Sequence, residues 1–215
     1  DAYYMNNREI FIKFITALFR PYKEEIQKSE STISCDRPKD AEFTLLTHQK
    51  IVRDYLNLYT PYRGLLLYHG LGSGKTCSSI AIAEGMKTDK KIVVMTPASL
   101  RMNYLQELKH CGDTIYKKNQ FWEFVPSGSK GTINEDLINS LSNILNISPD
   151  TIRKNGGAWL VNVNKPSNFE SLTAEQKTAL DLQINEMINA RYKFINYNGL
   201  RNNHLKELTQ NYSLN

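Results

Sequence analysis

Two kinds of apolar pattern alternate along this chain. Short unbroken runs read as buried strands, and stripes recurring at three- and four-residue steps read as amphipathic helices. Ile10, Phe11, Phe14, Ile15, Leu18 and Phe19 form one such stripe, predicting a helix over 5–19 that Pro21 stops. A polar, turn-rich stretch over 27–44 follows and reads as a linker. Thr47 is placed to cap a helix running to about Tyr59, with Ile51, Val52, Tyr55, Leu56 and Tyr59 inward and Pro61 ending it. Leu65 to Tyr68 is apolar and long enough for one buried strand, and Cys77 to Met86 is helix-like. Ile92-Val93-Val94-Met95 predicts a second buried strand, followed from Ala98 or Ser99 by a helix to Cys111, with Gly112 as its stop. Two strand–helix units in series predict an α/β fold, a parallel sheet covered by helices.

The stretch 117–190 reads as a mainly helical insertion in that sheet domain. Phe121–Val125 and Ala158–Val163 are strand-like, separated by a loop over 127–131 and short helices over 134–146 and 148–154. Thr173 with Gln176 makes a capping box for a helix reaching Ala190, its inner face carrying Leu180, Ile184, Met187 and Ile188. Trp122 and Trp159 read as core. Tyr192–Tyr197 is a third strand signal, Asn198-Gly199 a turn, and 201–210 a closing helix. The organisation expected is an N-terminal helical extension and linker over 1–43, then a sheet domain over 44–215.

The chemistry sits between the first strand signal and its helix. Gly70-Leu71-Gly72-Ser73-Gly74-Lys75-Thr76 has the order of a phosphate-binding loop: strand, glycine loop, Lys-Thr, helix. Glycines admit a polyphosphate to the backbone amides, and the helix N-terminus adds N–H groups and a positive dipole end. Lys75 is expected on the β- and γ-phosphates of ATP and Thr76 on Mg²⁺. The strict pattern wants glycine where His69 stands. His69 reads as a packed or turn residue and Cys77 as a small buried helix residue.

Composition narrows the picture little. Lys and Arg number 27 against 22 Asp and Glu, a net +5 that permits a polyanionic partner without requiring one. No apolar run is long enough for a membrane span, and the N-terminus is unlike a signal peptide. The first residue is not Met, as in an excised piece or a processed product. Cys35, Cys77 and Cys111 are far apart and odd in number, so free thiols are expected rather than a disulfide or zinc framework. No strand signal ends in Asp or Glu, and Asp-Glu never occurs. Either the carboxylate that hydrolysis needs lies beyond Asn215, which is favoured, or nucleotide is bound without efficient turnover.

Four segments in order carry a resemblance: Leu46-Thr47-His48-Gln49, Tyr68 to Thr76, Val93 to Leu100, and Phe194 to Leu200. The set resembles the first motor domain of superfamily 2 helicases, and within them the Swi/Snf-related ATPases of large cytoplasmic DNA viruses. It covers roughly residues 44–112 and 192–203. The resemblance implies a RecA-like P-loop NTPase domain, truncated before its acidic motif. By the same resemblance ATP and Mg²⁺ would lie on Gly70, Leu71, Gly72, Ser73, Gly74, Lys75 and Thr76, with Gln49 reading adenine. Thr96, Pro97 and Ser99 would grip a nucleic-acid backbone, Asn196 and Tyr197 would make a second strand-end contact, and Arg101 would add a phosphate contact or stand as a surface residue. The partners implied are nucleic acid (DNA ahead of RNA), a second RecA-like domain missing from this chain, and viral transcription machinery, in host cytoplasm or virion. On this reading the piece alone is inactive. Two rivals remain: a P-loop small-molecule kinase, and a nonhydrolytic nucleotide-gated interaction module.

Overall fold

The computed structural model describes residues 7–30, 44–57, 60, 64–129 and 132–209. Of the linker expected over 27–44, residues 27–30 are helical and 31–43 lie outside the described residues, as do Cys35, Tyr59 and Pro61. The chain divides into two compact units, residues 1–90 with 110–112, and residues 91–109 with 113–215. Among the described residues, no helix is long and apolar enough to cross a membrane.

In the first unit, helix α1 spans Arg8–Glu30 and runs through Pro21 instead of stopping there. A proline inside a helix costs about 3 kcal/mol, through a lost N–H and a clash with the preceding turn. Contacts on both sides of Pro21 offset it. Phe19 stacks on Tyr55 at 6.2 Å between ring centroids. Tyr22 donates its hydroxyl to Asp54. Glu25 accepts from Thr47 Oγ1 at 3.1 Å and from Lys50 Nζ at 2.7 Å. These partners belong to helix α2, Thr47–Tyr55. Leu46, with extended backbone at φ −68° and ψ 154°, is its N-cap in place of the expected Thr47, whose hydroxyl goes to Glu25.

Helix α3, Lys75–Met86, buries Cys77, Ser78, Ile80, Ala81 and Ala83. Cys77 is bridged to Cys111 by a disulfide, with Cα atoms 5.6 Å apart, which corrects the expectation of free thiols. Folding brings together two cysteines 34 residues apart, a proximity no local spacing announces. The apolar run before the glycine loop is also corrected. Residues 64–70 form no strand, and Leu66 and Tyr68 are 85% and 95% exposed. A strand is made by its neighbours' hydrogen bonds, and no described residue pairs with this run.

The second unit contains the parallel pair. Strand β1, Ile92–Thr96, lies beside β6, Tyr192–Asn196, in a register that matches Val94 with Phe194 and Thr96 with Asn196. A short 3₁₀ turn over Ala98–Leu100 leads into helix α4, Arg101–Cys111. The stretch 117–190 is mainly helical, with strands at both places where strand signals were read. Strands β2, Trp122–Pro126, and β5, Gly157–Val161, pair antiparallel, and β3, Gly128–Ser129, pairs with β4, Thr132–Ile133, where a loop was expected.

Three helices accompany these strands. Helix α5 spans Glu135–Leu145 with Asn134 as N-cap, and α6 spans Pro149–Asn155 with Ser148 as N-cap. Helix α7, Ala174–Arg191, opens with the Thr173–Gln176 capping box and buries Leu180, Ile184, Met187 and Ile188, the face expected. Helix α8, Asn202–Leu208, closes the described chain.

The small β2–β5 sheet has its outer edges closed by side-chain amides. Gln183, itself buried, accepts from Trp159 N and donates to Trp159 O, both at 2.8 Å. Asn168 does the same for Trp122, at 2.8 and 3.0 Å. Each amide stands in for the neighbouring peptide that an edge residue lacks. Both tryptophans are buried, as expected. Gly157, at φ 153°, admits the backbone of Val125 and Pro126 where any Cβ would collide.

Candidate nucleotide site and strand-end surface

The glycine loop is shaped by two residues in the left-handed region, Gly72 at φ 78° and Gly74 at φ 74°. Gly74 is the N-cap of α3, and a Cβ there would run into the amide of Gln49. The first turn of α3 carries no acidic side chain, so nothing negative competes for its positive end. Lys75 Nζ folds back over the loop and donates to the carbonyls of His69 at 3.1 Å and Gly70 at 2.8 Å. Thr76 follows, half-buried, in the first turn. Leu71 is fully exposed at the loop tip. Ser73 Oγ and His69 Nδ1 are shut off from solvent without a hydrogen-bond partner.

The N-terminus of α2 is laid against this loop. Gln49 is only 3% exposed, and both ends of its amide are engaged. Its Oε1 accepts from Leu46 N at 2.9 Å, and its Nε2 donates to Gly74 O at 3.2 Å. Gln49 therefore grips the loop in this structure; the adenine contact that the resemblance implies would require it to let go of one end. His48 Nε2 lies 2.9 Å from Ser73 O. Sequence reasoning placed His48 in the Leu46–Gln49 segment and gave it no role of its own. The available signal was its place beside Gln49 in the segment ahead of the loop.

These residues fit a nucleoside triphosphate with Mg²⁺. The left-handed glycines make a backbone cradle, Lys75 holds weak neutral acceptors that phosphate oxygens would replace, and a serine hydroxyl is unpartnered. Among the described residues no strand ends in an Asp or Glu that could serve as a second carboxylate for the metal.

In the second unit, the parallel register sets the C-terminal ends of β1 and β6 side by side, Thr96 opposite Asn196. The two motifs, about a hundred residues apart in sequence, thus meet at one sheet end. Ser99, Arg101, Asn196 and Tyr197 are exposed there, and Pro97 is half-buried. Thr96 Oγ1 is buried and without a partner, so the threonine faces inward while its neighbours face out. The Arg101 guanidinium lies 5.4 Å from the centroid of the Phe194 ring, a cation–π contact, and Tyr104 meets the same ring edge-on at 6.0 Å. Phe194 thereby fixes the arginine's direction. A cavity of about 320 Å³ lies along β6, lined by Phe194, Asn196, Gly199, His204 and the Lys193–Glu207 pair.

A parallel strand pair, covering helices and a glycine loop closing on a helix define a chain of the α/β class. Its relatives are viral. It is 39% identical over 107 residues to a protein of Acanthamoeba polyphaga mimivirus named for ATP-dependent RNA helicase activity, covering 49% of this chain and 18% of that one. It is 46% identical over 70 residues to a protein of Frog virus 3 named as a helicase, covering 30% and 7%. It is 24% identical over 129 residues to the early transcription factor 70 kDa subunit of Melanoplus sanguinipes entomopoxvirus, covering 58% and 19%. The chain is thus a homologue of viral helicase-like proteins, as the motif resemblance indicated, and it spans less than a fifth of these relatives' length. No family profile matches it, and no solved structure does.

Proposed function

We propose that this chain is the nucleotide-binding part of an ATP-dependent nucleic-acid motor, a RecA-like domain over 44–215 interrupted by an insertion and preceded by a helical extension. ATP-Mg²⁺ is held by the loop 70–76. Lys75 exchanges its carbonyl partners for phosphate oxygens, the α3 N-terminus adds backbone N–H groups, and Thr76 offers its hydroxyl to the metal. The bound triphosphate supplies the free energy of hydrolysis. The nucleic-acid backbone lies across Pro97, Ser99, Arg101, Asn196 and Tyr197, with Thr96 ordering the strand end behind them. Hydroxyls, an arginine and strand-end amides suit phosphate contacts that carry no sequence information. The names of the viral relatives support the motor reading and leave DNA and RNA both open. Host cytoplasm or virion is the setting this reading implies.

The observation that carries the proposal is Lys75 folded over a loop of left-handed glycines at a helix N-terminus. Titration of the chain with a fluorescent ATP analogue tests it: binding is expected, and Lys75→Ala is expected to weaken it at least tenfold. Equal affinity in the variant would remove the assignment. One observation favours a second reading, nucleotide binding without efficient turnover: no described strand ends in a carboxylate. Nucleic-acid-stimulated ATPase activity separates the two.

A further inference from the structure

We infer that His48 is a positioning residue for the glycine loop, orienting one peptide of the phosphate cradle from outside, and that His69 is the brace that holds it there. This rests on the nucleotide-binding reading of that loop.

A cradle for an anion needs its backbone N–H groups turned inward, and a trans peptide then carries its carbonyl to the opposite side. The outward carbonyls must be held, because glycine tolerates both the native and the flipped peptide. Here Gly74 supplies the nitrogen of the 73–74 peptide at φ 74°, and Gly72 stands at φ 78° just before Ser73. The Gly74 carbonyl is secured by α3 itself, accepting from Ser78 N at 3.0 Å and Ser78 Oγ at 3.2 Å as well as from Gln49. The Ser73 carbonyl lies one residue outside that ladder and meets His48 Nε2 at 2.9 Å. A carbonyl oxygen only accepts, so Nε2 is the nitrogen that carries the hydrogen. Tying Ser73 O to α2 points the Gly74 N–H the other way.

His69 explains how His48 keeps its place. Their rings meet edge to face, centroids 5.7 Å apart and planes at 82°. The His69 Nδ1 is buried without a hydrogen-bond partner, so that side chain acts here by packing. The backbone carbonyl of His69 accepts from Lys75. One residue, standing where the strict loop pattern has glycine, thus braces the histidine with its ring and parks the lysine with its carbonyl.

The test titrates the 215-residue chain with a fluorescent ATP analogue and displaces it with inorganic tripolyphosphate, which has no base to contact Gln49. His48→Ala and His48→Phe should each weaken both ligands roughly 5- to 10-fold, the worth of one hydrogen bond. The phenylalanine keeps a ring against His69 but has no N–H. His48→Gln, which restores a donor, should return to within about twofold of the parent, with all variants compared at equal thermal stability without ligand. His69→Gly should lose about two- to threefold while keeping Lys75-dependent binding. If the parent binds in a Lys75-dependent way and His48→Phe matches it, the inference fails and the nucleotide reading stands. If the parent and Lys75→Ala behave alike, that reading fails and takes this inference with it. If His48→Ala does not fold, His48→Phe and His48→Gln decide alone: equal affinities overturn the proposal, and loss in phenylalanine with recovery in glutamine supports it.

Discussion

The glycine-loop region and the 117–190 insertion differ in how completely they satisfy themselves. The glycine-loop region leaves the apolar run Leu65 to Tyr68 largely on the surface, and it holds two shut-off polar atoms without partners, Ser73 Oγ and His69 Nδ1. The insertion, where no motif was legible, seals both edges of its small sheet with Gln183 and Asn168, caps its helices with Asn134, Ser148 and Thr173, and buries Leu180, Ile184 and Ile188 completely. Chemistry and self-sufficiency are placed apart. A loop proposed to accept a triphosphate keeps groups unspent, whereas a supporting element gains nothing from an open valence.

The contrast predicts very unequal responses to substitution. The largest is expected at Leu180→Ala, about 2–5 kcal/mol of lost stability from a fully buried side chain, read by denaturant unfolding. Gln183→Ala comes next, about 2–3 kcal/mol, because it orphans the buried N–H and C=O of Trp159 together. An unfolding midpoint unchanged by Gln183→Ala would mean the edge is not sealed by that amide.

Asp181 offers a smaller and pH-dependent effect. Its carboxylate accepts from Lys109 Nζ at 2.7 Å and Lys118 Nζ at 2.6 Å, and the Lys109 side chain is only 6% exposed. Burial pushes the Asp181 carboxyl up, but the hydrogen bonds from Lys109 and Lys118 outweigh it and hold it below its ordinary value of 3.8. A depressed carboxylate stabilises the fold above its unfolded pKa, and that contribution is lost as pH falls through the lower folded value. Asp181→Asn should therefore cost about 1–2 kcal/mol near neutrality, discounted for the partly exposed carboxylate. The gap between variant and parent should close in acid below about pH 3.8. A gap that persists there assigns the loss to packing instead. The smallest effect is expected at Leu66→Ala, within about 0.5 kcal/mol because the side chain is exposed. A loss comparable to that of Leu180→Ala would mean that the run before the loop is a buried strand after all.

Legibility followed the range of the interaction. Thr173 and Gln176 bond each other three residues apart, at 3.2 and 3.0 Å, and their box was readable because it is local. The same holds for the stripe Leu180, Ile184, Met187 and Ile188, and for strands β1 and β6. Pro21 misled, since the penalty is local but its compensation comes from Thr47, Lys50 and Asp54 on another helix. The run at Leu65 misled for the opposite reason, apolar character being necessary for a buried strand and not sufficient.

The order of residues along this chain determined by itself that Thr173 opens a helix, which faces are apolar, and that Gly70 to Thr76 has the residue order of a phosphate-binding loop. Each depends on neighbours a few bonds away. Only the tertiary structure decided that Cys77 joins Cys111, that Thr96 and Asn196 end side by side, and that His48 and Gln49 grip the loop at Ser73 and Gly74. Those contacts depend on distances between segments remote along the backbone, which no periodicity encodes and which exist only once the helices and strands have packed.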